Sequence, residues 1–103
     1  MATGKIENPY PFLVEDKEND NVTIAAGSYV VQEITVTKTG YTPIGTVGFW
    51  VATASSSGTG ATNCFVRTAN LINTTTAQVS VRNNGSSAAK VRIGVKVLYV
   101  RNP

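Results

Sequence analysis

Residues 89–100, Ala-Lys-Val-Arg-Ile-Gly-Val-Lys-Val-Leu-Tyr-Val, constrain the fold more than any other part of this chain. Val91, Ile93, Val95, Val97 and Tyr99 take every second position, with Lys90, Arg92 and Lys96 between them. Successive side chains of a β-strand leave opposite faces, so this spacing predicts a strand with one buried face. A helix would scatter the same apolar groups around its circumference. Upstream lies Ala77-Gln-Val-Ser-Val-Arg82, joined to it by Asn83-Asn-Gly-Ser-Ser-Ala88, whose Asn-Gly pair adopts positive φ at low cost. The two segments are therefore expected to form an antiparallel hairpin around which other strands are added.

The remaining segments follow the same logic. Residues 1–9 read as a frayed leader, with Pro9 and Pro11 holding the backbone extended around Tyr10. Phe12 and Val14 start a short strand, and Glu15-Asp-Lys-Glu-Asn-Asp-Asn21 reads as a solvated loop. A second strand begins at 22–25 and turns at Ala26-Gly27 into a third at 28–37. Lys38-Thr-Gly-Tyr-Thr-Pro43 is expected to be a loop with Tyr41 at its tip. In the strand at 44–53, Val47, Phe49 and Val51 would face one way and Thr46, Gly48 and Trp50 the other, with Gly45 and Gly48 marking bulges or bends. Residues 54–63 are small, polar and glycine-rich, as a mobile connection requires. In the strand at 64–72, Phe65 and Arg67 share one face and Cys64 and Val66 the other. No stretch has helical periodicity, and turn residues recur at short intervals. The expectation is an all-β chain of one domain, 1–103: an antiparallel two-sheet β-sandwich, jelly-roll-like, of about seven or eight strands. Residues 21–101 would form its core and residues 1–20 an acidic N-terminal segment.

Much chemistry is excluded by what the sequence lacks. It has one cysteine and no histidine, so it can form no internal disulfide, no zinc site of the usual kind and no catalytic triad built on histidine. Cys64 reads as a small buried side chain. The run at 15–21 lacks the glycine and terminal glutamate of a calcium loop, and Gly58-Thr-Gly60 lacks the third glycine, lysine and helix of a phosphate cradle. All six acids precede residue 34, which disfavours a glycosidase needing two carboxylates across one bond. A non-enzymatic protein without cofactor is expected. The N-terminus shows neither the apolar core of a signal peptide nor a membrane-spanning run.

The net charge of +3 hides a division: residues 1–33 carry −4, and residues 34–103 carry seven bases and no acid, +7. Such asymmetry fits an anionic partner, or an acidic segment lying against basic strands. The second reading is preferred, since the bases are sparser than in a nucleic-acid binder.

Three segments together carry a resemblance: Lys38-Thr-Gly-Tyr-Thr-Pro-Ile-Gly-Thr-Val-Gly-Phe-Trp50, Asn63-Cys-Phe-Val-Arg67, and the run from Val81 through Asn83-Asn-Gly to Arg101. Over about residues 22–101 the chain resembles the small β-sandwich heads at the carboxyl ends of tail-fibre and baseplate proteins from phages and prophages of Firmicutes-type bacteria. The resemblance implies a homotrimeric head on a virion tail, made in the bacterial cytoplasm without a signal peptide. Its partners would be host cell-wall saccharides and other tail or baseplate proteins, with no nucleic acid and no membrane insertion. Saccharides are held by an exposed aromatic beside hydrogen-bonding side chains, and Tyr41, Trp50, Asn63, Arg67, Arg82 and Asn83 are the candidates. Trp50 is open to two roles, a ligand platform or packing under a loop or at a subunit contact. The alternative function is a purely structural tail or particle component that mediates assembly.

Overall fold

The computed structural model describes residues 11–103, so the expected leader at 1–9 lies outside the described residues. Six strands follow one another: β1 (Phe12–Ile24), β2 (Tyr29–Thr35), β3 (Tyr41–Thr53), β4 (Cys64–Leu71), β5 (Thr76–Asn83) and β6 (Ala89–Arg101). A single 3-10 turn, Ala61–Asn63, precedes β4. They form two antiparallel three-stranded sheets, β1-β6-β3 (sheet A) and β2-β5-β4 (sheet B). First pairs with last, second with fifth, and β3 of one sheet packs against β4 of the other. That nesting is the jelly-roll arrangement expected, achieved with six strands rather than seven or eight.

The core lies between the sheets. From sheet A come Ile24, Val91, Ile93, Val95, Val97 and Tyr99, and from sheet B Ile34, Ala77, Val79 and Val81, all essentially without solvent exposure. Burial of each large aliphatic group contributes on the order of 2 kcal/mol. Side-chain hydrogen bonds also fasten the sheets together. The Tyr99 hydroxyl donates to Val36 O at 2.6 Å, and Thr46 Oγ1 donates to Ala69 O at 3.2 Å. Tyr99 is thus a core residue whose one polar atom is satisfied, as burial demands.

Several expectations are corrected. The hairpin between β5 and β6 does not exist: the strands belong to different sheets, and residues 84–88 arch from one to the other. Among the described residues the glycines with positive φ are Gly27, Gly40 and Gly60, and Gly85 is not one of them. Alternation shows that both strands have a buried face, and in the sandwich those faces look at each other instead of lying side by side.

The acidic run 15–21 is the middle of β1 rather than a loop, so the segment assigned to 1–20 contributes an edge strand to the sandwich. Its charged side chains are divided between the two faces of the strand. Asp16 and Glu18 lie outward beside the bases of β6, with Lys96 Nζ 3.2 Å from Asp16 Oδ1 and Arg92 3.7 Å from Glu18 Oε1. Glu15, Lys17 and Asn19 lie on the other face, at the seam between β1 and sheet B. There Lys38 sits 2.8 Å from Glu15, and Asn19 Nδ2 donates to Gln32 Oε1 and Glu33 O. A register shift between Asn19 and Val22, with Asn21 at φ 55°, accommodates the extra residues of a bulge.

The expected loop at 38–43 ends early, because Tyr41, Thr42 and Pro43 already belong to β3. Pro43 is tolerated since β3 is an edge strand, where a missing N–H costs little. The bulges expected at the glycines occur, with register shifts between Pro43 and Gly45 and between Thr46 and Gly48. They also change the parity. Thr46 pairs with core-facing Val97 and turns inward to Ala69 O, not outward with Trp50, while Val47 and Phe49, expected to share one face with Val51, are each 56% exposed.

Candidate functional site

Trp50 projects from the outer face of sheet A, away from the core, because its β6 partner is Gly94 on the face opposite Val95. A Cβ built on Gly94 would lie 2.2 Å from Trp50 Cε2, 2.3 Å from Cζ2 and 2.7 Å from Nε1. Near-equal distances to three adjacent ring atoms place the indole flat over the bare backbone of Gly94. The indole N–H donates to Asp16 Oδ1 at 3.0 Å, and Lys96 Nζ reaches the same carboxylate. Beyond the ring, the Arg92 guanidinium lies 5.5 Å from its centroid, held by a bond from Nε to Thr53 O at 2.9 Å. Half-buried Trp50 is thereby fixed in orientation within a border of two carboxylates and two cations. The indole N–H first, and then Lys96, hold the Asp16 carboxyl below its ordinary range. Hydrogen bonds from Ser55 do the same for Asp20.

The outer face of sheet B carries a different group. Tyr29, Arg82 and Phe65 are register partners on β2, β5 and β4, so they form one row across the sheet. Arg67 occupies the register shift between Val66 and Thr68, which frees it from the ladder. Its guanidinium crosses β5 to lie 4.6 Å from the centroid of the Tyr29 ring. Arg82 Nε donates to Asn84 Oδ1 at 2.8 Å.

The six sequence candidates therefore do not form one site. Arg67 and Arg82 come together on sheet B, and Trp50 stands on the opposite side of the sandwich. Tyr41 is half-buried, edge-on to Tyr99 with centroids 6.4 Å apart, and Lys38 lies 5.5 Å over its ring. Asn63 is exposed in the 3-10 turn, where its backbone carbonyl accepts from Asn84 N–H and its side chain lies against Gly85. Asn83 is removed from the candidates by its position: it is fully buried. Its amide donates to Ile24 O at 3.0 Å and Ser87 O at 2.9 Å, and its oxygen accepts from Gly85 N–H at 2.8 Å. Asp16, Arg92, Gly94, Lys96, Tyr29 and Phe65 join the outer-face groups without having been singled out. A signal for Asp16, Arg92 and Lys96 is present in the sequence: acids at alternate positions in one segment and bases at alternate positions in another match when the two strands pair antiparallel.

Among the described residues there is no enclosed pocket, no group of metal-ligating side chains, and no helix long and apolar enough to cross a membrane. Cys64 is buried, its thiol donating toward Gly60 O at 3.5 Å, and burial pushes its pKa up, away from nucleophilic thiolate. What both outer faces can do chemically is make contacts over open, shallow surface. Comparison with protein-family models, with curated proteins and with solved structures finds no match.

Proposed function

We propose that this chain is a non-enzymatic receptor-binding head of a phage tail or baseplate, recognising host cell-surface saccharides as a homotrimer on the virion tail. Other tail or baseplate proteins are its remaining partners. One observation carries the reading: the Trp50 indole, laid over Gly94 on an outer sheet face with its N–H fixed by Asp16. A sugar ring offers an apolar C–H face and a belt of hydroxyls. An indole presented flat matches the first, and Asp16, Glu18, Arg92 and Lys96 around it match the second. A single shallow site binds weakly, and repetition on an oligomer supplies avidity.

A second reading, a structural component that serves assembly alone, is favoured by the apolar end of the same face. Phe12 and Val14 are 53% and 50% exposed there, beside their register partners Val100 and Leu98. A glycan array probed with the wild-type chain and with Trp50→Ala separates the two. Saccharide binding that falls at least about tenfold in the variant supports recognition at Trp50. A confirmed oligomer that binds nothing on the array leaves the structural role standing.

A further inference from the structure

We infer that the outer face of sheet B is a second binding site, specific for a saccharide bearing oxyanion groups, either carboxylate or phosphate. It stands on residues other than Trp50 and goes beyond the reading above. Tyr29 and Phe65 are 52% and 55% exposed. They flank Arg82 in one row, and with strands about 4.8 Å apart the two rings stand about 10 Å from each other. Large aromatics facing water on both sides of a guanidinium leave two apolar stacking surfaces with a cation between them.

The two arginines are the specific element. Neither Arg67 nor Arg82 has a carboxylate partner among the described residues, although Asp16, Glu18 and Glu15 each hold a cation elsewhere. The acid on this face is Glu33, four residues along β2 from Tyr29 and so about 13 Å away. Arg67 stacked on Tyr29 keeps the N–H edges of its guanidinium free, and the Arg82 bond to Asn84 uses only Nε–H. Free guanidinium edges accept oxyanions in bidentate fashion, with charge-assisted hydrogen bonds. Ser80, on this outer face between Tyr29–Arg82 and Glu33–Gln78, is nevertheless buried, as the Arg67 side chain crossing β5 requires. Arg67 is therefore held in place over the sheet before any ligand arrives.

The charge is too sparse for a nucleic acid. Two cations do not make a track along a phosphate backbone, and the rows beyond carry Val31, Ser80 and Thr68 and then Glu33, Gln78 and Asn70. A sugar ring over Phe65, with an anionic substituent between Arg82 and the Arg67 guanidinium held on Tyr29, fits the row.

Calorimetric titration of the whole chain with four probes tests this: an oligogalacturonate, a phosphorylated oligomannoside, a neutral oligomannoside of equal length and a single-stranded oligonucleotide. At least one anionic saccharide is expected to bind about tenfold or more tighter than the neutral one, and which of the two does so identifies the group recognised. Arg67→Gln with Arg82→Gln should erase that preference. Phe65→Ala should weaken every saccharide bound on this face and preserve the ratio between anionic and neutral. Equal binding of charged and neutral probes overturns the inference. So does a doubly substituted chain, folded by circular dichroism, that keeps the preference, or an oligonucleotide that binds tightest. Loss of neutral-saccharide binding in Trp50→Ala, with the anionic probe still bound and released only by the two arginine substitutions, would uphold both sites separately.

Discussion

Gly94 and Trp50 are coupled so tightly that each determines what the other position tolerates. A methyl at 94 occupies the volume of the indole, so Gly94→Ala must push the ring off β6 and break its bond to Asp16. Overpacking of this kind is expected to cost about 1–3 kcal/mol in urea unfolding, with a red shift of tryptophan fluorescence. In a Trp50→Ala background the three atoms nearest the new methyl are gone, and the same substitution should cost far less than in the wild-type chain. Additive effects of the two changes would show that the indole does not rest there. Asn83 makes a second residue-level case. Asn83→Ala strands Ile24 O, Ser87 O and Gly85 N inside the arch, and a midpoint shift in urea on the order of 3 kcal/mol is expected. Asn83→Asp should fare little better, since it keeps the acceptor and loses both donors. The outward placement of Trp50 was legible from period-two parity alone. Its seat on Gly94 was not, because the residues lie 44 positions apart and only the β3–β6 register joins them. The burial of Asn83 is illegible for a related reason: no local pattern says that the last residue of β5, where the chain enters the arch between sheets, will be buried.

Strand existence was readable wherever apolar residues alternate, and strand partnership was not. The edge strand β1 shows both sides. Its hydrophilic middle carries the sequence signal of a loop, because no apolar residue marks a buried face there. The face is supplied instead by charge, with Asp16 and Glu18 against Lys96 and Arg92, and Glu15 against Lys38. This has a pH signature. The hydrogen bond from Lys38 holds Glu15 below its ordinary 4.5, and Trp50 and Ser55 hold Asp16 and Asp20 below 3.8. Carboxyls depressed in the folded state stabilise it above their unfolded values, and that contribution is lost as pH falls through the lower folded ones. Stability should therefore be level from neutral pH down to about 5 and decline below 4.5, as read from urea midpoints across pH. Glu15→Gln and Asp16→Asn should each flatten the acid decline, and added salt should weaken it at all pH values, since these pairs lie near solvent. A decline of unchanged steepness in the double variant would mean that the β1 charges contribute nothing to holding this edge.

For the molecule as a whole, the two outer faces differ in what they leave uncovered, and the difference bears on assembly. On sheet A the charged half around Trp50 gives way toward the end of β6 to Phe12, Val14, Leu98 and Val100, with glycine at 45 in the adjoining strand. An added Cβ at Gly45 would meet nothing within 4 Å, so the face is low and open on that side, suited to close approach of another sheet. The border of this apolar end is the Asp16–Lys96 pair, which offers both signs of charge at once. A partner of strong single charge gains little from such a rim, whereas a second copy of the same chain can present the opposite sign at each point. Self-association through this end is accordingly expected, and the homotrimer is the order proposed. Phe12→Ser with Val14→Ser should shift sedimentation equilibrium toward the monomer, with circular dichroism unchanged because neither side chain enters the buried core. Saccharide binding to an immobilised surface should then fall more than binding per chain in solution, since only avidity is lost. A wild-type chain that sediments as a monomer at tens of micromolar would remove the avidity argument, and saccharide recognition would have to rest on the strength of a single site.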